Sequence, residues 1–174
     1  MPGPDFETVV ADYYEPLFRF AISLTRSEAD ACDLVQQTFY MWATKGHQLR
    51  DVSKVKSWLF TTQYRAFLES RRTVTRFPHS ELTEADPDLP VILPEAARRL
   101  DALQAVEALG QMDAIYRAPV SLFYLEDCSY QEIADILEVP MGTVKSRMAR
   151  GLAQLKLIFA GGNPARHQPR GQGE

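Results

Sequence analysis

Apolar positions recur every three or four residues in several separate stretches of the chain, which is the spacing of amphipathic helices. The first stretch runs from about Val9 to Leu24 and contains Pro16, where a helix can kink. A second stretch follows Ser27, a typical N-cap residue, and ends near Gly46. A third covers residues 53–73. No segment alternates with a period of two, so the pattern predicts an all-α fold without a sheet.

A pair of helices is predicted nearer the C-terminus. Ser129 and Glu132 have the spacing of a capping box, and a turn around Pro140 separates the first helix from a second. The second helix carries an apolar stripe at spacings of four, four and three: Val144, Met148, Leu152 and Leu155. This arrangement indicates a helix-turn-helix. Spacing alone fits an ordinary amphipathic hairpin with a solvated charged face equally well.

The face away from that stripe favours DNA. A helical wheel places short or basic residues there: Lys145, Ser146, Arg147, Ala149 and Arg150. No acidic residue occurs between Thr143 and Lys156. Short side chains permit close approach, and the cations can reach phosphates and guanine edges, as a major-groove recognition helix requires. Gly142 would let the N-terminus of the helix approach the DNA backbone.

A second basic surface is predicted on the helix over residues 53–73. Arg65, Arg71 and Arg72 lie along it, with Trp58 and Phe67 nearby. Aromatic rings and cations together suit single-stranded nucleic acid, because rings stack on unpaired bases. The two aromatic residues are interpreted first as core and only second as DNA contacts.

The amino-acid composition narrows the classes of protein to which the chain can belong. The 174 residues include 45% hydrophobic and 24% charged residues, which is typical of a folded protein. The net charge of −4 excludes a uniformly basic nucleic-acid-coating protein but not a basic face on an acidic body. Two distant cysteines and three scattered histidines predict no metal site and no catalytic triad. No apolar run is long enough for a membrane span, and the N-terminus does not resemble a signal peptide.

The distribution of charged residues and prolines along the chain indicates where the predicted domains begin and end. Residues 77–104 hold six acidic and two basic side chains, and four prolines fall within residues 78–94. The predicted organisation is a helical domain over 1–76, a flexible acidic linker over 77–100, a second helical domain over 101–160 and a disordered tail over 161–174. The fold class is therefore an all-α protein of two small helical domains joined by a flexible linker.

Three motifs together resemble a known family. Residues 30–43 (DACDLVQQTFYMWA) and 56–72 (KSWLFTTQYRAFLESRR) are similar to region 2 of the sigma-70 family. Residues 116–156, with SYQEIA followed by GTVKSR, are similar to its region 4. Regions 1 and 3 have no counterpart, which is the pattern of the extracytoplasmic-function (ECF) sigma factors of RNA polymerase. The resemblance implies a sigma region 2 helical bundle and a region 4 helix-turn-helix.

The resemblance also implies partners and site residues. The chain would bind core RNA polymerase, at the clamp helices of its largest subunit, and promoter DNA. The polymerase surface would comprise Asp30, Asp33, Leu34, Gln36 and Gln37. The −10 element would meet Arg50, Asp51, Ser53, Trp58, Thr61, Thr62, Arg65, Arg71 and Arg72. The −35 element would meet Gly142, Thr143, Lys145, Ser146, Arg147, Ala149 and Arg150.

No cofactor, membrane or small-molecule substrate is expected, the location would be cytoplasmic, and an anti-sigma factor stays open as a further partner. The family's acidic motif departs here at Cys32 and Gln37, which suggests the hypothesis of weaker polymerase binding. Two other functional classes fit the sequence less well. A helix-turn-helix repressor or activator would bind DNA alone, and the region 2 block argues against it. An enzyme would need a paired-carboxylate, nucleophile or phosphate-loop arrangement, which the sequence lacks.

Overall fold

The computed structural model describes residues 3–74 and 102–161, and within these ranges every regular element is helical. The first block contains α1 (Phe6–Thr25), α2 (Glu28–Lys45) and α3 (Val55–Val74), with 3-10 turns at Gly46–Gln48 and Val52–Lys54. The second block contains α4 (Ala102–Gly110), α5 (Ala114–Leu125), α6 (Tyr130–Leu137) and α7 (Met141–Phe159). The all-α prediction is confirmed. The predicted linker over 77–100 and the tail beyond Gly161 lie outside the described residues.

Local signals place the first two helices. Asp5 begins α1 by accepting the Thr8 backbone N–H at 2.8 Å, and Pro16 lies inside α1 without ending it. Ser27 caps α2 as predicted, since its hydroxyl accepts the Asp30 backbone N–H at 3.3 Å. These caps satisfy amide groups that the first turn of each helix leaves without partners.

Gly46 follows the end of α2, as the sequence predicted, but not because it adopts a left-handed conformation. Its φ is −58°, which any residue can adopt. A Cβ atom at this position would lie 2.6 Å from the Trp42 ring, so glycine is needed for space. Trp42 in turn packs edge-on against Trp58 of α3, with ring centroids 5.3 Å apart.

The two blocks pack against each other and share one cluster of buried apolar residues. Helix α1 contacts α2 and α3 of its own block and also α4 and α5 of the second block. Helix α3 packs on α6. Helical periodicity identified the apolar faces, but it could not predict that faces from the two blocks would meet.

A buried arginine ties the second block to the end of α1. The Arg117 guanidinium donates to the Leu24 backbone oxygen at 3.0 Å and to the Met112 backbone oxygen at 2.7 Å. Burial lowers the pKa of Arg117. Because the C-terminal turn of a helix carries partial negative charge, the Leu24 carbonyl in α1 is a favourable partner for this cation.

Helices α5 and α7 approach closely at Gly151. A Cβ atom there would lie 2.6 Å from Val120 and 3.2 Å from both Met112 and Tyr116. Beside this contact, Asp113 at the start of α5 accepts from the Gln154 side-chain amide at 2.7 Å. The second block is therefore closely packed behind the helix-turn-helix.

Replacing Gly151 by alanine should destabilise the protein by about 1–3 kcal/mol, because the added methyl group overpacks the contact between α5 and α7. Gly142→Ala is the matched control in the same helix, since nothing lies within 4 Å of a Cβ atom there. That control should be neutral or stabilising by up to about 1 kcal/mol. Urea denaturation measures both, and equal stabilities of the two variants would contradict the close contact.

Candidate nucleic-acid interface

Local hydrogen bonds fix the start of α6 and the turn that joins it to α7. The Glu132 backbone N–H donates to the Ser129 hydroxyl at 3.2 Å, and the Ser129 N–H donates to the Glu132 carboxylate at 2.7 Å. The predicted capping box is therefore confirmed. Glu138 ends α6 in the left-handed region with a φ of 57°, and Pro140 accepts the Thr143 N–H at the start of α7.

Helix α7 buries one face and offers the other. The predicted apolar stripe is buried throughout: Val144, Met148, Leu152 and Leu155. Gly142 and Lys145 are exposed. The other predicted −35 residues are half-buried on the flank of the same helix: Thr143, Ser146, Arg147, Ala149 and Arg150. All seven predicted residues thus lie on one helix, with short side chains between cations.

Arg147 lies close to the first block. Its charge acts on Tyr64 of α3, and burial raises the pKa of Tyr64 against the opposing charges of Arg147 and Arg71. The Nε atom of Arg147 is buried and has no hydrogen-bond partner among the residues that the structure describes. The flank of the helix-turn-helix therefore faces α3.

The loop before α3 carries three of the predicted −10 residues. The Asp51 carboxylate accepts the Ser53 backbone N–H at 3.0 Å and the Ser53 hydroxyl at 2.6 Å. These bonds lower the pKa of Asp51. Arg50 is exposed beside them. Asp51 and Ser53 are therefore engaged in shaping the loop, while the Arg50 side chain extends outward.

Four of the six remaining −10 residues line two grooves. Trp58, Thr62 and Arg65 line a groove of about 440 Å³ between α2 and α3. Arg71 lines a separate groove and holds its guanidinium 5.5 Å above the Phe67 ring. Phe67 is buried, which confirms its interpretation as a core residue, whereas Trp58 is half-buried. Thr61 is half-buried and Arg72 is exposed.

The predicted polymerase surface lies on α2. Asp30, Asp33, Gln36 and Gln37 are exposed, whereas Leu34 is only 5% exposed. Leu34 therefore packs mainly into the core beneath the polar residues. Helical spacing explains the difference, because Leu34 shares a face with the buried apolar residues of α2.

An ion-pair cluster that the sequence did not predict lies between the blocks. Glu126, just after α5, accepts from Arg19 of α1 at 3.3 and 3.4 Å, and Lys56 of α3 donates to the Glu126 backbone oxygen at 2.7 Å. The Glu126 side chain is 3% exposed. Burial raises the pKa of Glu126 to about 7, and the charges of Arg19 and Lys56 only partly oppose this effect.

Arg65 and Glu138 form a second ion pair between the blocks. Hydrogen bonding to Arg65 lowers the pKa of Glu138. Both side chains are at least half exposed, so a pair of this kind contributes only about 0–1 kcal/mol to stability. No local sequence signal marks either set of contacts between the blocks, because each joins residues at least 70 positions apart.

Comparison with known proteins identifies the family. Residues 9–77 match the family model for sigma-70 region 2, and residues 102–155 match that for sigma-70 region 4. The ECF RNA polymerase sigma factor SigL of Mycobacterium tuberculosis is 30% identical over 82% of this chain and 82% of its own length. The chain belongs to the ECF sigma factors. It is an RNA polymerase sigma factor, which directs promoter recognition and transcription initiation.

Two further relatives are also ECF RNA polymerase sigma factors. SigM of Bacillus subtilis, an ECF sigma factor, is 27% identical over 84% of this sigma factor and 90% of its own length. SigE of Mycolicibacterium smegmatis is 32% identical over 90% of the chain, which spans 62% of SigE.

Solved structures share the fold. The sigma factor RpoE of Bartonella quintana, in complex with the anti-sigma factor NepR, gives a TM-score of 0.68 at 26% identity, covering 90% of this chain and 97% of RpoE. CnrH, in complex with the cytosolic domain of CnrY, gives a TM-score of 0.63 at 23% identity, covering 90% and 88%. No helix in the described part of the sigma factor is both long and apolar enough to cross a membrane.

The raised pKa of Glu126 predicts a pH-dependent stability. Below its unfolded pKa the carboxyl is protonated in both states, and above its folded pKa of about 7 it is ionised in both. Ionisation opposes folding, so this contribution is lost as pH rises from about 4.5 to above 7. Relative to Glu126→Gln, the wild-type chain should lose about 3 kcal/mol of unfolding free energy across that range.

Urea denaturation of both proteins at several pH values between 5 and 8 measures this difference. Contributions from all other groups are common to both proteins and cancel in the comparison. A difference that stays constant with pH would show that Glu126 is not desolvated.

Proposed function

We propose that this sigma factor reads the −35 element as duplex DNA with the outer face of α7. The capped helix-turn-helix, with an acid-free basic face on its second helix, is the observation that carries the proposal. Lys145, Ser146, Ala149 and Arg150 contact bases. Thr143 and Arg147 contact phosphates, and Gly142 lets the backbone come close. Cations at these positions suit phosphates and guanine edges.

Region 2 binds the melted −10 element along the start of α3. The groove lined by Trp58, Thr62 and Arg65 supports this role, because it joins an aromatic edge to a cation. Asp51 and Ser53 shape the preceding loop, where Arg50 extends toward the strand. Three further residues contact the DNA backbone or lie beside the groove: Thr61, Arg71 and Arg72.

Core polymerase binds the exposed face of α2 through its clamp helices. The exposed polar residues Asp30, Asp33, Gln36 and Gln37 support this role, and Leu34 holds the helix in place from beneath. The chain acts as a binding factor in the cytoplasm, without catalysis and without a cofactor. An anti-sigma factor is a further partner, which the complex of RpoE with NepR supports.

Run-off transcription tests the whole proposal. Core polymerase with the wild-type chain should produce promoter-dependent transcripts that core polymerase alone does not produce. Arg150→Ala should weaken holoenzyme binding by about 1–3 kcal/mol on the cognate −35 sequence, because one base contact is lost. An equal loss on scrambled −35 DNA would make Arg150 a phosphate contact, and absence of promoter-dependent transcript with the wild-type chain would refute the function.

The departure at Gln37 predicts a gain on restoring the acid. Gln37 is exposed on α2, whereas Cys32 is half-buried, so Gln37→Glu tests the surface without disturbing packing. A carboxylate facing basic clamp residues should tighten core binding several-fold at low salt, and less at high salt. Titration of labelled chain with core polymerase measures this. Unchanged or weaker affinity would show that the clamp does not read charge at this position.

A further inference from the structure

An aromatic cluster of Phe6, Tyr14, Phe18 and Phe39 lies where α1 packs on α2. Tyr14 stacks on Phe39, with ring centroids 6.4 Å apart and an interplanar angle of 4°, and it also stacks on Phe18. Phe6 meets the Phe39 ring edge-on, again at 6.4 Å. Phe39 is buried, but Tyr14 is 48% exposed and Phe6 is 47% exposed. The cluster therefore presents two aromatic side chains to solvent and holds them in place through a buried third.

Tyr40 of α2 extends this apolar surface. It is 68% exposed and follows Phe39 directly in the chain. Gln36 lies three positions before Phe39 and four before Tyr40, and residues at these spacings are neighbours on the surface of a helix. Gln36 is an exposed member of the proposed polymerase surface. That surface and the aromatic cluster are therefore continuous.

The exposure of these rings indicates a contact with another molecule. Single exposed apolar residues are normal on a protein surface, whereas a contiguous apolar patch among polar residues marks an interaction site. Tyrosine is among the residue types that contribute most to the affinity of protein interfaces. Because stacking already restrains the Tyr14 ring, this ring loses little conformational freedom on binding.

The charge around the cluster has the same sign as that of the polymerase surface. Glu7, Asp12 and Glu15 are exposed on α1, and no basic residue precedes Arg19 in the chain. Asp33 gives the exposed face of α2 the same negative charge. A partner that carries basic and apolar groups side by side therefore fits both helices. A second copy of this chain fits poorly, because two acidic faces repel each other.

We propose that core polymerase covers the aromatic cluster on α1 as well as the exposed face of α2, with Tyr14 and Tyr40 as apolar anchors. The inference rests on the proposed function for the identity of the partner. Burial of these rings supplies affinity that the acidic motif loses at Cys32 and Gln37. Salt screens the contacts of carboxylates but does not screen the burial of apolar surface.

Core affinity of paired variants tests the two anchors. Tyr14→Ser and Tyr40→Ser should each weaken core binding about 10–30-fold, by nearly the same factor at low and at high salt. Tyr14→Phe and Tyr40→Phe should stay within about twofold of the wild-type chain, because the ring supplies the buried area. Titration of labelled chain with core polymerase, without DNA, measures all four variants.

Leu68→Ser is the matched control, since Leu68 is an exposed apolar residue of α3 that lines neither of the two grooves. It should bind core polymerase as the wild-type chain does. Far-UV circular dichroism shows whether each variant keeps its helix content. Wild-type core affinity of either folded serine variant would overturn the proposal.

Cysteine footprinting locates the contact without removing an anchor. Ala43 is exposed on α2, three positions after Tyr40. In a Cys32→Ser background, the thiol of Ala43→Cys should react with a maleimide several-fold more slowly once core polymerase is bound. Leu68→Cys should react at the same rate with and without core polymerase, and Cys128 is buried. An unchanged rate for Ala43→Cys in the bound chain would overturn the proposal. Failure of the wild-type chain to bind core polymerase would instead refute the proposed function, and this inference with it.

Discussion

Helix α1 holds the described structure together, because it packs against α2 and α3 of its own block and against α4 and α5 of the other. Its buried residues Leu17, Phe20 and Ala21 are fully enclosed, and its C-terminal carbonyl at Leu24 accepts from the buried Arg117. Burial of apolar side chains stabilises such a contact, but it does not by itself fix the relative orientation of the helices. The relative orientation is fixed further by polar contacts between the blocks, such as those of Arg117 with Leu24 and of Arg19 with Glu126.

Glu126 illustrates how such a group can act. Its burial carries a cost, which the pKa of about 7 reflects, so the carboxylate is poor evidence for stability by itself. Both of its partners, Arg19 and Lys56, belong to the other block, so the site favours the relative arrangement that keeps them in place.

The features that the sequence predicted correctly are those that local interactions determine. Ser27 and Ser129 are capping residues whose partners lie within three positions, and the stripe from Val144 to Leu155 follows from helical spacing. The position of Gly46 was predicted but its cause was not, because the Trp42 ring that excludes a Cβ atom is visible only in three dimensions. The burial of Leu34 follows from the same helical spacing, whereas the Glu126 cluster was missed because it depends on tertiary packing.

The net charge of −4 is compatible with promoter binding once the contacts between the blocks are considered. The cation of Arg65 is paired with Glu138, and the charge of Arg147 acts on Tyr64 of α3, so two of the cations proposed to contact DNA are engaged within the chain. Affinity for DNA depends steeply on the number of phosphates that a protein neutralises. Polymerase changes that balance without adding contacts from the chain itself. When it holds the two blocks at the spacing of the promoter elements, binding at one element raises the effective concentration at the other. In the proposed function, two weak DNA-binding faces therefore act as one specific site.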